Sequence, residues 1–383
     1  MQRRYRMFAK HDQKRNAFML NGSFADEGYD WWWHSFTAVN DKTGEEKSFF
    51  IEFFTCNPEL GKNQPILGQE EYNLLSGHFP SYVMVKAGWW GKDHAQLHRF
   101  FGWKEVKMHK SAPFCIEAAD CYADEYELKG SVAISPQEAD AHPEWMCDSG
   151  SMSWDLKLNK MIPFNVGYGA GKLFRTLKAF SMYWHAEGMK TMYSGTVTAN
   201  GETYSVYPDR CFGYADKNWG ENFTSPWVWL SSCDLISKSS GKRLYDSVFD
   251  IGGGCPIVFG VPLKKKLLGA FYYEGEEIEF NFSKFWTFSR TRFRCRESKE
   301  TVFWHVRLKN RKYLLDVRVK CPKKDMLLIN YEAPNGSKKH NRLFNGGTGK
   351  GLITLYEKSP VGLYLVDEIR AEHVGCEYGV YDE

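Results

Sequence analysis

The 383-residue chain lacks any run of about 18 uninterrupted apolar residues, which excludes a hydrophobic helix long enough to span a bilayer. It has little net charge: 50 lysines and arginines against 47 aspartates and glutamates give +3, which excludes a uniformly basic nucleic-acid-binding surface. Its ten cysteines show no C-x-x-C spacing, so neither a disulfide framework nor a zinc site is predicted. No apolar segment follows the basic N-terminus, so we expect no secretory signal, reduced thiols and a cytoplasmic location.

Common catalytic motifs are missing as well. There is no phosphate loop G-x-x-x-x-G-K-[ST], no H-E-x-x-H and no G-x-S-x-G. Glycine-rich stretches occur at 250–256 and 345–351, but a strand pattern follows the second, which predicts a bulge or tight turn. His94 and His98 lie four residues apart in a predicted helix at 93–103, with no third ligand nearby. We therefore predict neither a metal site nor a cofactor.

Aromatic residues are abundant instead. The 14 Trp, 21 Tyr and 27 Phe make up 16% of the chain, and such rings are enriched in β-strands and in cavities for apolar or cationic ligands. Aromatic β-prone runs at 31–39 and 47–55 are joined by turn residues, and Asn200-Gly201 marks a further hairpin. Helical periodicity is nearly confined to 93–103 and 172–180. The pattern predicts an all-β protein with antiparallel barrels or sandwiches.

The length predicts two domains, because single cores rarely grow beyond about 250–300 residues. Each half of the chain has a tryptophan-rich strand beside polar residues. We place the boundary so that one β-domain covers 1–195 and the other covers 196–383.

The densest group of reactive side chains lies in the second half. It consists of four consecutive residues followed by two tryptophans: Asp216, Lys217, Asn218, Trp219, Trp227 and Trp229. Positions i and i+2 of a strand share a face, so the last two indoles would form a wall, with the polar residues as a turn at its rim or floor. The alternative is a charged turn beside a tryptophan-filled core, because large aromatic residues are core residues first.

A buried carboxylic acid among indoles suits one class of chemistry. Each indole face stabilises a carbocation by about 0.5–2 kcal/mol when water is excluded. Burial raises the pKa of a carboxylic acid, which can then protonate an alkene, while a neighbouring lysine or amide orients it. These residue types indicate acid-initiated addition, cyclisation or isomerisation of an apolar substrate.

At this block, ADKNWGENFTSPWVWLSSCDL (215–235), the chain resembles the tocopherol cyclase-like family, whose hallmark is [AE]-[ED]-K-N-W-G…F-P…W-x-W. The likeness covers about 28–358 and includes the two aromatic strands, SWDLKLNKMIPFNVGYGA (153–170) and NRLFNGGTGKGLITLYE (341–357). The chain departs from the pattern at Pro226, three residues after Phe223, and at 231–234, where the family has Gln-x-Asn. These departures point to an apolar substrate other than a prenylquinol.

The resemblance implies a double lipocalin-like β-fold, as in carotenoid 1,2-hydratases and fungal decalin-forming pericyclases. It implies a cofactor-independent cyclase, isomerase or hydratase for an isoprenoid-like or polyketide-like substrate bound in an aromatic cleft. The matching positions are three catalytic residues and three substrate-binding indoles: Asp216, Lys217, Asn218, Trp219, Trp227 and Trp229. Strand alternation, and not the motif, places Trp33 and Glu52 at the same cleft.

Two other functions remain open from the sequence. One is a lipocalin-like carrier that binds a hydrophobic ligand without catalysis. The other is a carbohydrate-binding β-sandwich, which the missing signal disfavours. The expected partner is a small hydrophobic molecule, with no nucleic acid and no integral membrane segment, and the oligomeric state is left open.

Overall fold

The computed structural model describes residues 8–61, 63–68, 70–164, 177–329, 331–336 and 343–380, and nearly all of their regular structure is β, as predicted. Helices α1 to α3 span Lys10–Asn16, Glu71–Ser76 and Pro136–Ala141. Single 3-10 turns lie at Gly22–Ala25, Trp103–Glu105, Pro143–Trp145, Phe285–Thr287 and Lys323–Asp325. Across the described ranges, every helix is too short or too polar to cross a bilayer.

Twelve strands form the first antiparallel sheet. They are β1 Tyr29–Val39, β2 Glu46–Cys56, β3 Tyr82–Trp89, β4 Ala95–Phe101, β5 Val106–Met108, β6 Cys115–Ala118, β7 Cys121–Asp124, β8 Glu127–Ile134, β9 Gly150–Phe164, β10 Met182–Ala199, β11 Glu202–Val206 and β12 Gly213–Gly220. Their order is β4-β3-β2-β1-β11-β10-β9-β8-β7-β6-β5, and β12 pairs with β1 and β10. The sheet curls into a first barrel, in which the backbone N–H of Asp148, just before β9, donates to Gln96 of β4 at 2.8 Å.

The remaining strands form the second sheet and one separate hairpin. They are β13 Trp227–Ser232, β14 Asp234–Ser237, β15 Val248–Gly254, β16 Ile257–Val258, β17 Val261–Pro262, β18 Lys266–Tyr273, β19 Glu276–Asn281, β20 Arg290–Glu297, β21 Thr301–Lys309, β22 Tyr313–Pro322, β23 Leu327–Ile329, β24 Leu343–Ser359 and β25 Gly362–Gly379. The main order is β19-β18-β15-β13-β25-β24-β22-β21-β20, and β16 pairs only with β17. This sheet also curls, and Leu267 of β18 donates its backbone N–H to the Thr291 hydroxyl of β20 at 3.1 Å.

The predicted hairpins are confirmed, since β1 pairs with β2 and the Asn200-Gly201 turn joins β10 to β11. The helix predicted at 93–103 is wrong, because this segment pairs as β4 with β3, and the sheet overrides its weak helical pattern. Most of the other predicted helix, 172–180, lies outside the described residues. The chain passes from the first sheet to the second between Gly220 and Trp227, whereas residues 195 and 196 lie within β10.

Three apolar clusters follow from the alternation of strand faces. One fills the first barrel and includes Trp32 and Phe53, and a second fills the second sheet and includes Phe271. The third lies between the two sheets and contains Trp33 and Trp184 among other aromatic rings. Because the third cluster joins the two halves, side chains from both sheets meet there.

His373 connects the two sheets through hydrogen bonds near the protein surface. Its Nε2 lies 2.6 Å from Glu46 of the first sheet, and its Nδ1 lies 2.7 Å from Asp234 of the second. Burial opposes the charged imidazolium, but hydrogen bonds to the two carboxylates outweigh it and raise the His373 pKa to about 9. The ring also stacks on Phe212 at 4.5 Å, and Arg243 forms an ion pair with Asp234.

We expect this contact to make stability pH-dependent. The charged form is favoured in the folded state, so its contribution is complete below pH ~6.5, the unfolded pKa, and is lost as the pH rises through about 9. The wild type should be more stable than His373→Gln at low pH. This difference in the free energy of unfolding should decrease by about 3 kcal/mol as the pH rises from ~6.5 to about 9. Urea denaturation at several pH values measures the difference, and a pH-independent difference would contradict the assignment.

Candidate functional site between the two sheets

Strand β12 divides the 216–219 block between two environments. Asp216 and Asn218 face the space between the sheets, where they lie opposite Trp33 and Trp31 of β1. Lys217 and Trp219 point the other way, into the first barrel. The predicted polar turn is therefore wrong: the block is a fully buried strand, and alternation sends successive residues to opposite faces.

Lys217 forms an ion pair with Asp30 inside the first barrel, and its Nζ lies 3.8 Å from the centre of the Trp32 ring. Burial lowers the Lys217 pKa to about 8 against the attraction of Asp30. Burial likewise raises the Asp30 pKa to about 6 against the attraction of Lys217. The lysine predicted to assist Asp216 thus has its own carboxylate on the other side of the sheet.

A small cavity of about 20 Å³ lies between the sheets. It is lined by five residues predicted from the sequence and by three others: Trp33, Asp216, Asn218, Trp227 and Trp229, then Trp31, Tyr331 and Glu377. Glu52 lies beside Trp33 in the sheet, buried, with Lys86 Nζ at 2.9 Å and the Tyr331 hydroxyl at 3.5 Å. The space has room for about one water molecule, so a larger guest requires a side chain to move.

The two oxygens of Asp216 have different surroundings. Oδ2 accepts hydrogen bonds from the Trp184 indole at 2.7 Å and from the Tyr214 hydroxyl at 3.1 Å. Oδ1 is buried and has no hydrogen-bond partner among the described residues. Burial raises the Asp216 pKa well above its usual range, so the neutral acid is favoured. Because Oδ2 already accepts two donors, the acid proton belongs on Oδ1.

Asp250 is a second buried acid, and the sequence analysis missed it. Tyr214 links the two acids, since its hydroxyl lies 3.2 Å from Asp250 Oδ2, while the Trp229 indole donates to Oδ1 at 3.0 Å. Burial and the nearby Asp216 raise the Asp250 pKa well above its usual range. The available signal was the polar residue at the start of the glycine-rich stretch 250–256.

Glu377, on the last strand, is the third carboxyl group and was also missed. It accepts hydrogen bonds from the Trp227 indole and from the Asn345 side chain, both at 2.5 Å. Burial raises the Glu377 pKa to about 7, so it exchanges a proton readily near neutral pH. Nothing in the sequence around it marks this position, because only the pairing of β13 with β25 brings it beside Trp229.

Glycines of the two glycine-rich stretches contact two further tryptophans near the cavity, Trp184 and Trp90. A Cβ on Gly252 would lie 2.7 Å from the Trp184 ring, and one on Gly347 would lie 2.2 Å from Trp90. Neither glycine lies in a turn, since both belong to strands, but β24 has register shifts between Gly346 and Gly351, as the predicted bulge requires. Glycine is needed here because the indoles lie directly on the backbone.

A second space lies next to the cavity. It is a partly open cleft of about 60 Å³ with mainly apolar walls, including Trp184, Leu268 and glycines 252–254. Trp227 lines both the cleft and the cavity, so the two spaces adjoin at this residue.

Two solved structures are similar to this chain in backbone path. One is a protein provisionally described as AttH from Nitrosomonas europaea, with 13% identity, a TM-score of 0.41, and coverage of 93% of this chain and 97% of that chain. The other is kievitone hydratase from Nectria haematococca, with 11% identity, a TM-score of 0.48, and coverage of 100% of this chain and 95% of that chain. Comparisons with family models and with curated proteins give no match.

Proposed function

We propose that this chain is an acid–base catalyst that adds an O–H group across an alkene of an apolar, isoprenoid-like or polyketide-like substrate, as a cyclase or hydratase. The observation that carries the proposal is the Asp216 carboxyl group, which is buried, favoured in its neutral form and unpartnered at Oδ1 within an indole-lined cavity. The sequence resemblance to the tocopherol cyclase-like family implies the same chemistry.

The reaction can be written with the side chains present. Asp216 Oδ1–H gives its proton to one alkene carbon, and the positive charge that develops on the other carbon faces the rings of Trp33 and Trp229. The oxygen of a phenol or of water then forms the new C–O bond, and its proton passes to ionised Glu377. The net result is one new C–H bond, one new C–O bond and one proton moved from Asp216 to Glu377.

Three further residues complete the proposed site: Asp250 and Tyr214 return a proton to Asp216, and Asn218 binds the substrate. Along the Asp250–Tyr214–Asp216 chain of hydrogen bonds, Asp250 gives its proton to the Tyr214 oxygen and Tyr214 gives its own proton to Asp216 Oδ2, which leaves Asp250 ionised. Rotation of the Asp216 carboxyl group then brings the protonated oxygen to the cavity side. After the product leaves, Glu377 releases its proton to water and Asp250 takes up a proton from water, so the cycle closes without net gain or loss of protons.

The Asn218 Oδ1 accepts a hydrogen bond from the Tyr29 hydroxyl at 2.8 Å. Its Nδ2 has no hydrogen-bond partner among the described residues. We assign this amide the role of donor to the substrate oxygen.

The substrate enters, in this proposal, from the apolar cleft. Trp227 turns away from Glu377, so that the reacting end of the substrate fills the joined space while the rest of the molecule lies along Trp184 and Leu268. The displaced indole leaves Glu377 with Asn345 as its remaining donor, which makes the carboxylate a stronger base when the substrate is bound.

The proposal is tested by incubating the protein with a geranylated phenol, and separately with an open-chain isoprenoid alkene, in D₂O. Acid catalysis places one deuterium on carbon in each cyclised or hydrated product, which mass spectrometry detects. Heat-denatured protein is the control. If both probes bind but are recovered unchanged and without deuterium, the chain is a carrier of hydrophobic ligands and the catalytic proposal is wrong.

A further inference from the structure

The outer face of the second sheet carries a concentration of positive charge that the chain's net charge of +3 conceals. A shallow groove of about 750 Å³ on this face is lined by Arg318, Lys320, Lys350 and Arg370, with Glu372 as its single acidic residue. Glu372 forms ion pairs with Lys350 at 3.1 Å and with Arg370 at 3.4 Å. Among the described residues that line the groove, four are therefore cationic and one is acidic.

The basic face continues onto the neighbouring strands. Arg294 and Arg296 of β20 lie opposite His305 and Phe303 of β21, whose partners on β22 are Arg318 and Lys320. Arg294, Arg296 and Lys320 are exposed, and the described part of the chain offers none of them an ion pair. Arg318 does have a carboxylate nearby, the buried Asp316 at 3.2 Å, which also pairs with Arg307.

An apolar hairpin projects at one end of the same face. The turn between β24 and β25 exposes Val361 by 83%, Leu363 by 53% and Leu365 by 60%. All residues from 361 to 366 are exposed, on both faces of the hairpin, so the hairpin extends past the core of the sheet. Aliphatic side chains that are neighbours and face water in this way mark an interaction site.

The register places the hairpin and the cations on one side of the sheet. Leu365 lies opposite Tyr356, Tyr356 opposite Leu314, and Leu314 opposite Lys309. Lys358 donates to the backbone carbonyls of Asn310 and Arg311 at 3.0 Å, which fixes the hairpin beside the exposed 309–312 loop. Lysines and arginines therefore lie at the base of the apolar tip, where Glu276 and Glu357 pair with Lys312.

We propose that this face docks on a lipid bilayer that contains anionic phospholipids. The hairpin tip enters the interface between headgroups and acyl chains, where its aliphatic side chains leave water, and the arginines and lysines lie against the phosphates. A nucleic acid would satisfy the cations but would offer no apolar region for Val361, Leu363 and Leu365. The inference stands apart from the proposed function, because bilayer binding needs neither substrate nor Asp216.

Flotation with vesicles tests the proposal on the full chain. We expect binding to vesicles of phosphatidylcholine and phosphatidylserine at a ratio of about 7 to 3, much weaker binding to phosphatidylcholine alone, and a decrease with added salt. Reversing three exposed cations, Arg294→Glu, Arg296→Glu and Lys320→Glu together, should weaken binding about a hundredfold. The triple change Val361→Ser, Leu363→Ser and Leu365→Ser should weaken it at least about tenfold.

Matched controls change the same residue types elsewhere. Lys104→Glu, Lys110→Glu and Lys157→Glu reverse three exposed cations near the first sheet, and Leu60→Ser, Leu75→Ser and Leu177→Ser remove three exposed leucines. Both control proteins should bind vesicles like the wild type, and circular dichroism checks the fold of all four. Equal loss in the controls, no vesicle binding by the wild type, or tighter binding of an RNA or DNA oligonucleotide through the same cations would overturn the proposal.

Discussion

Replacing Asp216 by asparagine is expected to lower turnover about 10²- to 10⁴-fold, the usual contribution of a general acid. The variant should keep its free energy of unfolding within about 1 kcal/mol, because the neutral acid and the amide have nearly the same shape and both accept hydrogen bonds from Trp184 and Tyr214. Single-turnover kinetics and urea denaturation of the same preparations measure the two effects. Turnover at the wild-type rate would show that Asp216 is not the acid.

The pH dependence of turnover tests the protonation states assigned to Asp216 and Glu377. Turnover needs neutral Asp216 and ionised Glu377, so in the wild type kcat/KM, which reports the free protein, should fall as the pH drops below about 7 and Glu377 takes up a proton. Asp250→Asn is the matched control, since this residue also accepts an indole hydrogen bond, from Trp229, and contacts the Tyr214 hydroxyl, but does not line the cavity. The Asp250→Asn variant should slow only the return of the proton to Asp216. If it lowered turnover as much as Asp216→Asn does, Asp250 would be the general acid instead.

Replacing Lys217 by methionine is expected to destabilise the protein by about 3–5 kcal/mol, because it leaves Asp30 buried without its partner charge. Burial already raises the Asp30 pKa to about 6, so the variant should regain part of its stability as the pH falls and Asp30 becomes neutral. Urea denaturation over a pH range that extends above this value measures the effect, because the variant lacks the lysine that lowers the Asp30 pKa.

The double variant Asp30→Asn with Lys217→Met tests what the pair is for. Burial shifts both pKa values against the charged forms, so removing both charges should restore stability to the wild-type level or above it. Because the pair lies on the barrel side of β12, turnover per folded molecule should be unchanged. A stable but inactive double variant would mean that Lys217 acts in catalysis, as the sequence motif suggested.

Much of the fold could be predicted because β-structure is encoded locally. The two-residue alternation and the Asn200-Gly201 turn predict strands and a hairpin, and the structure has both. Segment 93–103 could not be assigned in this way, because its hydrogen bonds come from a neighbouring strand and not from its own turns. The sequence also did not reveal where the chain crosses from the first sheet to the second. The Asn200-Gly201 turn lies near the predicted boundary, but it joins two strands of the same sheet, β10 and β11.

The sequence by itself determined that Trp227 and Trp229 share a face, because residues two positions apart on a strand point to the same side. Only the tertiary structure decided which alternate residues of the 216–219 block, Asp216 and Asn218, reach the cavity. A shift of one residue in strand register would exchange the two faces of β12. The tertiary structure also decided that Asp250 and Glu377 join Asp216. Their desolvation, which raises the pKa of all three acids, arises only when two curled sheets close over them.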